Sequence, residues 1–327
     1  MLWLQGRDFS HGRRGRLKGG CSHDWLPHVL VTSIMRKLLL IQTMLPILLA
    51  GADLTIDHVT VAGARLKDLQ SALSAVGIAA DYGGPHGNRA TEMAIVSFPD
   101  GSYLELIALQ ADADPKMVAL HPWTKFMQTG TGPCAWAVRA GDLAAAARRL
   151  KEAGVAVTEP ERGGRQRPDG KRLDWQTAMV GDEGRGSFYP FLIQDFTPRN
   201  DRAYPRGKPS APDFSGVTKV VMVVNDLDSA VKRYREAYGL PAPLKQVDKD
   251  FGAHLALMGG GPVVFAAPLS SDSWLARRLS QFGEGPCAFV LGARKAGRYR
   301  AAAKTRWFGK DLAWLDEGKL GWRLGME

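Results

Sequence analysis

Two clusters in this chain carry side chains suited to chemistry. The first is Arg165-Gln166-Arg167-Pro168-Asp169-Gly170, followed by Leu173 and Trp175. Pro-Asp-Gly is a strong turn signal, so the segment reads as a hairpin whose second run turns Leu173, Trp175 and Thr177 to one side. A fixed guanidinium beside an indole face suits an organic ligand with carboxylate or carbonyl oxygens, which arginine binds bidentately. Arg167 ranks ahead of Arg165 for that contact, with Asp169 and Trp175 beside them. The alternative is a surface hairpin whose Arg and Asp pair with each other. The second cluster is His58 and Glu105, each inside an apolar, strand-like run. Side chains alternate along a strand. Val59 and Val61 on one side put His58 and Thr60 on the other, and Leu104 and Leu106 do the same for Tyr103, Glu105 and Ile107. His58 and Glu105 can therefore share a cavity; the alternative is a satisfied core histidine and a glutamate paired with an arginine.

These runs belong to a repeated unit. Residues 58–77 and 135–154 align without a gap, matching Val61, Leu66, Leu73 and Gly77 to Val138, Leu143, Leu150 and Gly154. A third copy begins at Lys219, and a fourth at Gly285-Pro286-Cys287-Ala288-Phe289, echoing Gly132-Pro133-Cys134-Ala135-Trp136. Each of the first three copies opens with a short apolar run, continues as an amphipathic helix and reaches a glycine where a helix C-cap favours one. The helical stripe is Leu66, Leu69, Leu73 and Val76 in the first copy and Leu227, Val231, Tyr234 and Tyr238 in the third. Strand-like pieces follow at 78–82, 93–98 and 103–109, with Pro99-Asp100-Gly101 as a turn. The unit is βαβββ, an α+β arrangement. One helix covers one face of so small a sheet, and pairing modules covers the other. Modules one and two form a domain over 53–200, modules three and four a second over 216–327, and the Pro/Arg-rich stretch 201–215 reads as a linker.

The 327 residues are 45% hydrophobic and 23% charged, an ordinary globular composition of a length that suits two domains. Half of the +10 net charge lies before residue 52. No Lys/Arg stripe interleaved with aromatics follows, which argues against a nucleic-acid partner. Met35-Arg36-Lys37, an apolar run over 38–49 and Ala50-Gly51-Ala52 stand in the order of a secretory signal. That run is shorter than the roughly 20 residues a spanning helix needs, so no stable membrane span is expected. Residues 1–34 read as a spurious or disordered leader. Cleavage near Ala52 leaves a periplasmic or secreted chain, in which Cys134 and Cys287 are expected as free core thiols. G-x-S-x-G, Walker, CxxC and HExxH motifs are absent.

Ile56-Asp57-His58-Val59, Gly83-Gly84-Pro85-His86-Gly87-Asn88 and Tyr103-Leu104-Glu105-Leu106-Ile107, together with the Arg165 to Trp175 segment and Pro190-Phe191-Leu192-Ile193, carry a resemblance. The chain resembles the vicinal oxygen chelate superfamily of glyoxalase I, extradiol dioxygenases and bleomycin-resistance proteins, and more closely its glyoxalase-like domain branch. The match covers most of residues 54–198, whereas 216–327 match in module outline only. In that superfamily two modules curve around a cavity, and a His on the first strand and a Glu on the fourth hold a divalent metal. The resemblance implies one divalent ion (Zn, Fe, Mn or Ni) on His58 and Glu105, with His86 in the Gly-rich loop completing the set. It implies Glu105 and Arg167 as catalytic residues, and Tyr103, Arg165, Asp169 and Trp175 as substrate contacts. The departures are Ala135 and Phe191 at the ligand positions of module two, Lys219 and Phe265 in module three, and Ala288 in module four. The usual four-ligand set cannot be assembled from them. Two readings follow: a metal-dependent lyase, isomerase or dioxygenase acting on a small substrate with neighbouring oxygens, or a metal-free protein that sequesters a small molecule. A monomer or homodimer fits either.

Overall fold

The βαβββ units pair into two eight-stranded sheets in the computed structural model, which describes residues 54–182 and 186–327. The leader 1–34 and the signal segment 35–52 lie outside the described residues. Module one comprises β1 (Ile56–Ala62), α1 (Leu66–Ser74), β2 (Asp81–Pro85), β3 (Thr91–Ser97) and β4 (Tyr103–Leu109). Two short helices, α2 (Pro115–Leu120) and α3 (Thr124–Thr129), lead into module two. It comprises β5 (Gly132–Arg139), α4 (Leu143–Glu152), β6 (Glu161–Gln166), β7 (Arg172–Ala178) and β8 (Phe191–Asp195). After α5 (Arg199–Ala203), module three runs β9 (Phe214–Val223), α6 (Leu227–Tyr238), β10 (Leu244–Asp248), β11 (Ala253–Leu257) and β12 (Val263–Pro268). Helix α7 (Trp274–Phe282) precedes module four, which is β13 (Gly285–Ala293), β14 (Ala303–Trp307), β15 (Lys310–Trp314), α8 (Glu317–Leu320) and β16 (Arg323–Met326). A 3₁₀ turn at Ala296–Arg298 stands where the other modules carry their helix.

The strand orders are β2-β3-β4-β1-β5-β8-β7-β6 and β10-β11-β12-β9-β13-β16-β15-β14. In each sheet the first strands of two modules pair antiparallel and join the halves. The helices form where their caps are supplied: Asp142 accepts from Ala145 N ahead of α4, and Asp226 accepts from Ser229 N ahead of α6. Gly239 ends α6 in the left-handed region at φ 64°. Leu66, Leu69 and Leu73 of α1 pack with Val59 and Val61, in one apolar core shared with Val220, Met222 and Tyr234 of the second sheet. Both sheets thus bury their helix-bearing faces in a common core.

The opposite faces differ. In the second sheet Val221, Val223, Val264 and Ala288 are covered by Phe251, Trp307 and Trp314, and α7 packs Trp274, Leu275 and Leu279 into the same cluster. Apolar side chains fill that concavity. Module three departs from sequence alignment here: Phe265 faces the shared core, and the β9–β12 register puts Val264 at the place Glu105 holds in module one. In the first sheet, α2 and α3 stand where α7 stands in the second and leave an open space. Phe126 of α3 stacks on Phe282 of α7 at 4.2 Å, so the two inserts meet.

Residues 201–215, read as a linker, are packed along the first sheet. Tyr204 Oη donates to Phe98 O at 3.0 Å, and Ala211 N to Ser97 O at 3.0 Å. Cys134 and Cys287 are buried and free. Among the described residues no helix is long and apolar enough to cross a membrane.

Candidate active site

Strand parity carries His58, Thr60 and Glu105 to the concave face of the first sheet, where His58 and Glu105 line a cavity of about 270 Å³. A β-bulge between Ile56 and His58 arranges this. Ile56 has the same parity as His58, yet it packs in the shared core with Val59 and Val61. The extra residue, Asp57, turns aside and is fully buried. Bulges re-aim side chains in this way beside functional sites.

Asp57 fixes His58, whose Nδ1 donates to Asp57 Oδ1 at 2.6 Å. The imidazole lies flat on Tyr103, with ring centroids 4.8 Å apart and 2° between planes, and the edge of Phe191 closes the other side. Arg202 spans Asp57 and Asp195, donating to Asp57 Oδ1 at 3.0 Å, to Asp57 Oδ2 at 2.8 Å and to Asp195 Oδ2 at 3.0 Å. It also donates to Tyr103 Oη at 2.7 Å, and Arg199 adds a second ion pair to Asp57. Burial alone would raise the Asp57 carboxyl, but the charges of Arg202 and Arg199 and the hydrogen bond from His58 outweigh it. The group is held well below the usual carboxylate range and stays ionised.

Glu105 lies between the two imidazoles. Its Oε2 accepts from Thr60 Oγ1 at 3.1 Å and stands 3.9 Å from His58 Nε2; its Oε1 is 3.5 Å from His86 Nε2. Burial raises this carboxyl, whereas the hydrogen bond from His86, the charges of His58 and His86 and the Thr60 hydroxyl lower it, to about 2. A depressed native value stabilises the fold above the unfolded value of 4.5 and is lost as pH falls through about 2. Glu105→Gln is therefore expected to flatten the fall in urea midpoint between pH 5 and pH 2. An unchanged slope would contradict this ionisation.

Hydrogen-bond partners fix the orientation of both imidazoles. His58 Nδ1–H is committed to Asp57, and Nε2 faces the cavity; 3.9 Å to Glu105 is beyond hydrogen bonding. For His86, Asn88 Nδ2 donates to Thr91 Oγ1 at 3.0 Å, and Thr91 Oγ1 lies 2.8 Å from His86 Nδ1. Thr91 Oγ1 also lies 3.4 Å from Asn88 Oδ1, so this cluster holds the His86 ring with Nε2 facing Glu105 Oε1 at 3.5 Å.

His58, His86, Tyr103, Glu105, Arg165 and Trp175 all line the cavity. Arg167 and Asp169 are not among its lining residues. Arg167 donates to Asp201 O at 2.9 Å and pairs with Asp169 Oδ2 at 2.7 Å, because β6 ends at Gln166 and the turn carries the guanidinium toward the 201–205 segment. Among the described residues no three His, Cys, Asp or Glu side chains are grouped so as to hold a metal ion. The Glu105 oxygens are turned to Thr60 and the imidazoles in a hydrogen-bonding cluster, so the divalent ion expected on His58, His86 and Glu105 finds no ready-made three-ligand sphere. Sequence reasoning did not single out Asp57, Arg202, Thr91 and Trp123. The adjacent Asp57-His58 pair was the available signal, but two neighbours on a regular strand point apart, and only the bulge reunites them.

Two βαβββ modules closed around a polar-centred cavity define a vicinal oxygen chelate fold. The family model described as "Glyoxalase-like domain" matches residues 56–238, and the chain belongs to that family. A hypothetical protein from Staphylococcus aureus shares the fold at TM-score 0.58 and 14% identity, over 84% of this chain and 98% of that one. Methylmalonyl-CoA epimerase from Mycobacterium tuberculosis aligns at TM-score 0.31 and 19% identity, over 35% of this chain and 87% of its own. A xylose isomerase-like TIM barrel/4-hydroxyphenylpyruvate dioxygenase fusion protein aligns at TM-score 0.49 and 14% identity, over 84% of this chain and 48% of its own. No curated protein matches the chain.

Proposed function

We propose that the cavity of the first sheet is the active site of a small-molecule isomerase or lyase that works by proton transfer, with His58 as the base. The observation that carries this reading is the placement of His58, whose Nε2 faces the cavity while its Nδ1 is held by an ionised, buried Asp57. A base must present a lone pair to the substrate and have its positive charge stabilised once it is protonated. Asp57 and Glu105 supply that stabilisation. Nε2 takes a proton from the carbon beside a substrate carbonyl, and the charge moves to the carbonyl oxygen. His86 Nε2, directed at Glu105 Oε1 at 3.5 Å, is on the same wall, and the substrate oxygen would compete with Glu105 for its proton. Where the deprotonated carbon carries a hydroxyl, return of the proton to the former carbonyl carbon, with the hydroxyl proton passing to the other oxygen, completes an isomerisation; expulsion of a leaving group from the β-carbon completes an elimination. The exported location expected from residues 35–52 is kept in this reading.

The test is loss of the α-proton signal in D2O, followed by nuclear magnetic resonance. Its substrates are neutral hydroxyacetone and dihydroxyacetone and anionic pyruvate and 2-oxobutyrate. The wild-type protein is expected to accelerate exchange in at least one of them, with the rate unchanged after dialysis against EDTA. No acceleration in any would overturn proton transfer. Exchange that disappears on dialysis and returns only with Zn²⁺, Fe²⁺, Mn²⁺ or Ni²⁺ would replace the base mechanism by Lewis-acid chemistry at the same residues.

A further inference from the structure

We infer that this cavity takes a small planar carboxylate, and that Arg165 receives its carboxylate group. The inference rests on the location of the site proposed above, not on the base assigned there. Among the described residues two arginines are buried, Arg202 at 2% exposure and Arg165 at 3%. Arg202 is neutralised by Asp57 and Asp195. Arg165 has no carboxylate partner among the described residues: Nη1 donates to Gly83 O at 2.6 Å, and Nη2 is buried without a hydrogen-bond partner. A buried guanidinium with no carboxylate in contact, offset only by the more distant charge of Glu105, destabilises the fold that holds it. This one forms part of the cavity wall, where a ligand can supply the missing charge.

The chemistry of that ligand follows from the wall. A carboxylate is planar and matches the fork of a guanidinium, with charge to offset the buried cation. Trp175, Trp123 and Phe191 give the cavity flat apolar sides that favour a planar body. Gly163 makes the Trp175 placement possible, since a Cβ there would fall 2.7 Å from the indole Nε1. A volume of about 270 Å³ suits a single-ring acid.

Benzoylformate and its uncharged methyl ester are the probes, titrated calorimetrically into wild-type protein, Arg165→Met and Arg165→Lys, with thermal unfolding alongside. Wild-type protein is expected to bind the acid more than about tenfold tighter than the ester, as a charge-assisted hydrogen bond implies. Arg165→Met should bind both alike and, without ligand, unfold at a higher temperature than wild type. Arg165→Lys should keep part of the preference. A lower unfolding temperature for Arg165→Met would mean that the guanidinium is a strap between β2 and β6. Wild-type protein that binds acid no better than ester would overturn the ligand class, and that comparison needs no variant to fold. Tight benzoylformate binding with no proton exchange would leave this inference standing and remove the base. Exchange of neutral carbonyls with no preference for the acid would do the reverse.

Discussion

His58→Gln is expected to lower catalysed α-proton exchange by about 10²–10⁴-fold, the usual contribution of a positioned general base. The side chain is about as bulky but has no basic nitrogen, so the readout separates chemistry from packing. Affinity for benzoylformate should stay within a few-fold of wild type, because the carboxylate is held by Arg165. Asp57→Asn should also lose rate, since a neutral amide behind Nδ1 stabilises the imidazolium less and no longer dictates the tautomer. Exchange that persists in His58→Gln at the wild-type rate would remove His58 from the mechanism and leave a cavity that binds without reacting.

Arg202→Met is expected to destabilise the protein by about 3–5 kcal/mol, the range for breaking a buried ion pair by removing one partner. The variant leaves Asp57 fully buried with Arg199, His58 and, at 4.0 Å, Arg139 as its remaining partners, and it also takes a donor from Asp195 and Tyr103. The sign of the pH dependence follows from Asp57. Its native carboxyl lies well below the ordinary value of 3.8, so it stabilises the fold above that value and the contribution is lost as pH falls through the depressed one. Removing Arg202 shrinks that contribution, so the gap to wild type is widest near neutrality and narrows in acid. Adding Asp57→Asn to Arg202→Met removes the uncompensated charge and should recover part of the stability without recovering exchange. Urea midpoints from pH 7 to pH 2 measure both effects, with the change falling below pH 3.8. A constant gap across that range would show that packing, not charge, accounts for the loss.

The network that Arg202 anchors was hard to foresee from its own neighbourhood. The Pro/Arg-rich stretch from 201 reads as a connector because nothing in it is periodic. Its role depends on Asp57 and Tyr103, which lie 145 and 99 residues away in the chain. Arg165 and Arg167 present a similar case at shorter range. They share parity on one run, but β6 ends between them at Gln166, so one guanidinium reaches the cavity wall and the other the Asp201 carbonyl. A strand end set by the pairing of β6 with β7 cannot be located to one residue from alternation alone. Helices α2, α3 and α7 are six, six and nine residues long. The first two fall below the length at which a hydrophobic stripe announces itself, and α7, as long as α1, lies between modules rather than at a repeated position.

Periodicity carried a good deal. The fourfold repeat, the α+β modules, their pairing and the shared concave side of His58 and Glu105 are all legible locally, because a two-residue or 3.6-residue period fixes which face a side chain takes. Tertiary structure alone decided the rest. One sheet keeps an open cavity while its sibling is filled by Trp274, Trp307 and Trp314. A bulge joins Asp57 to His58, and one buried arginine is neutralised while the other has no carboxylate in contact. Each of these is settled by contacts between segments far apart in the chain, whose energies no single segment contains.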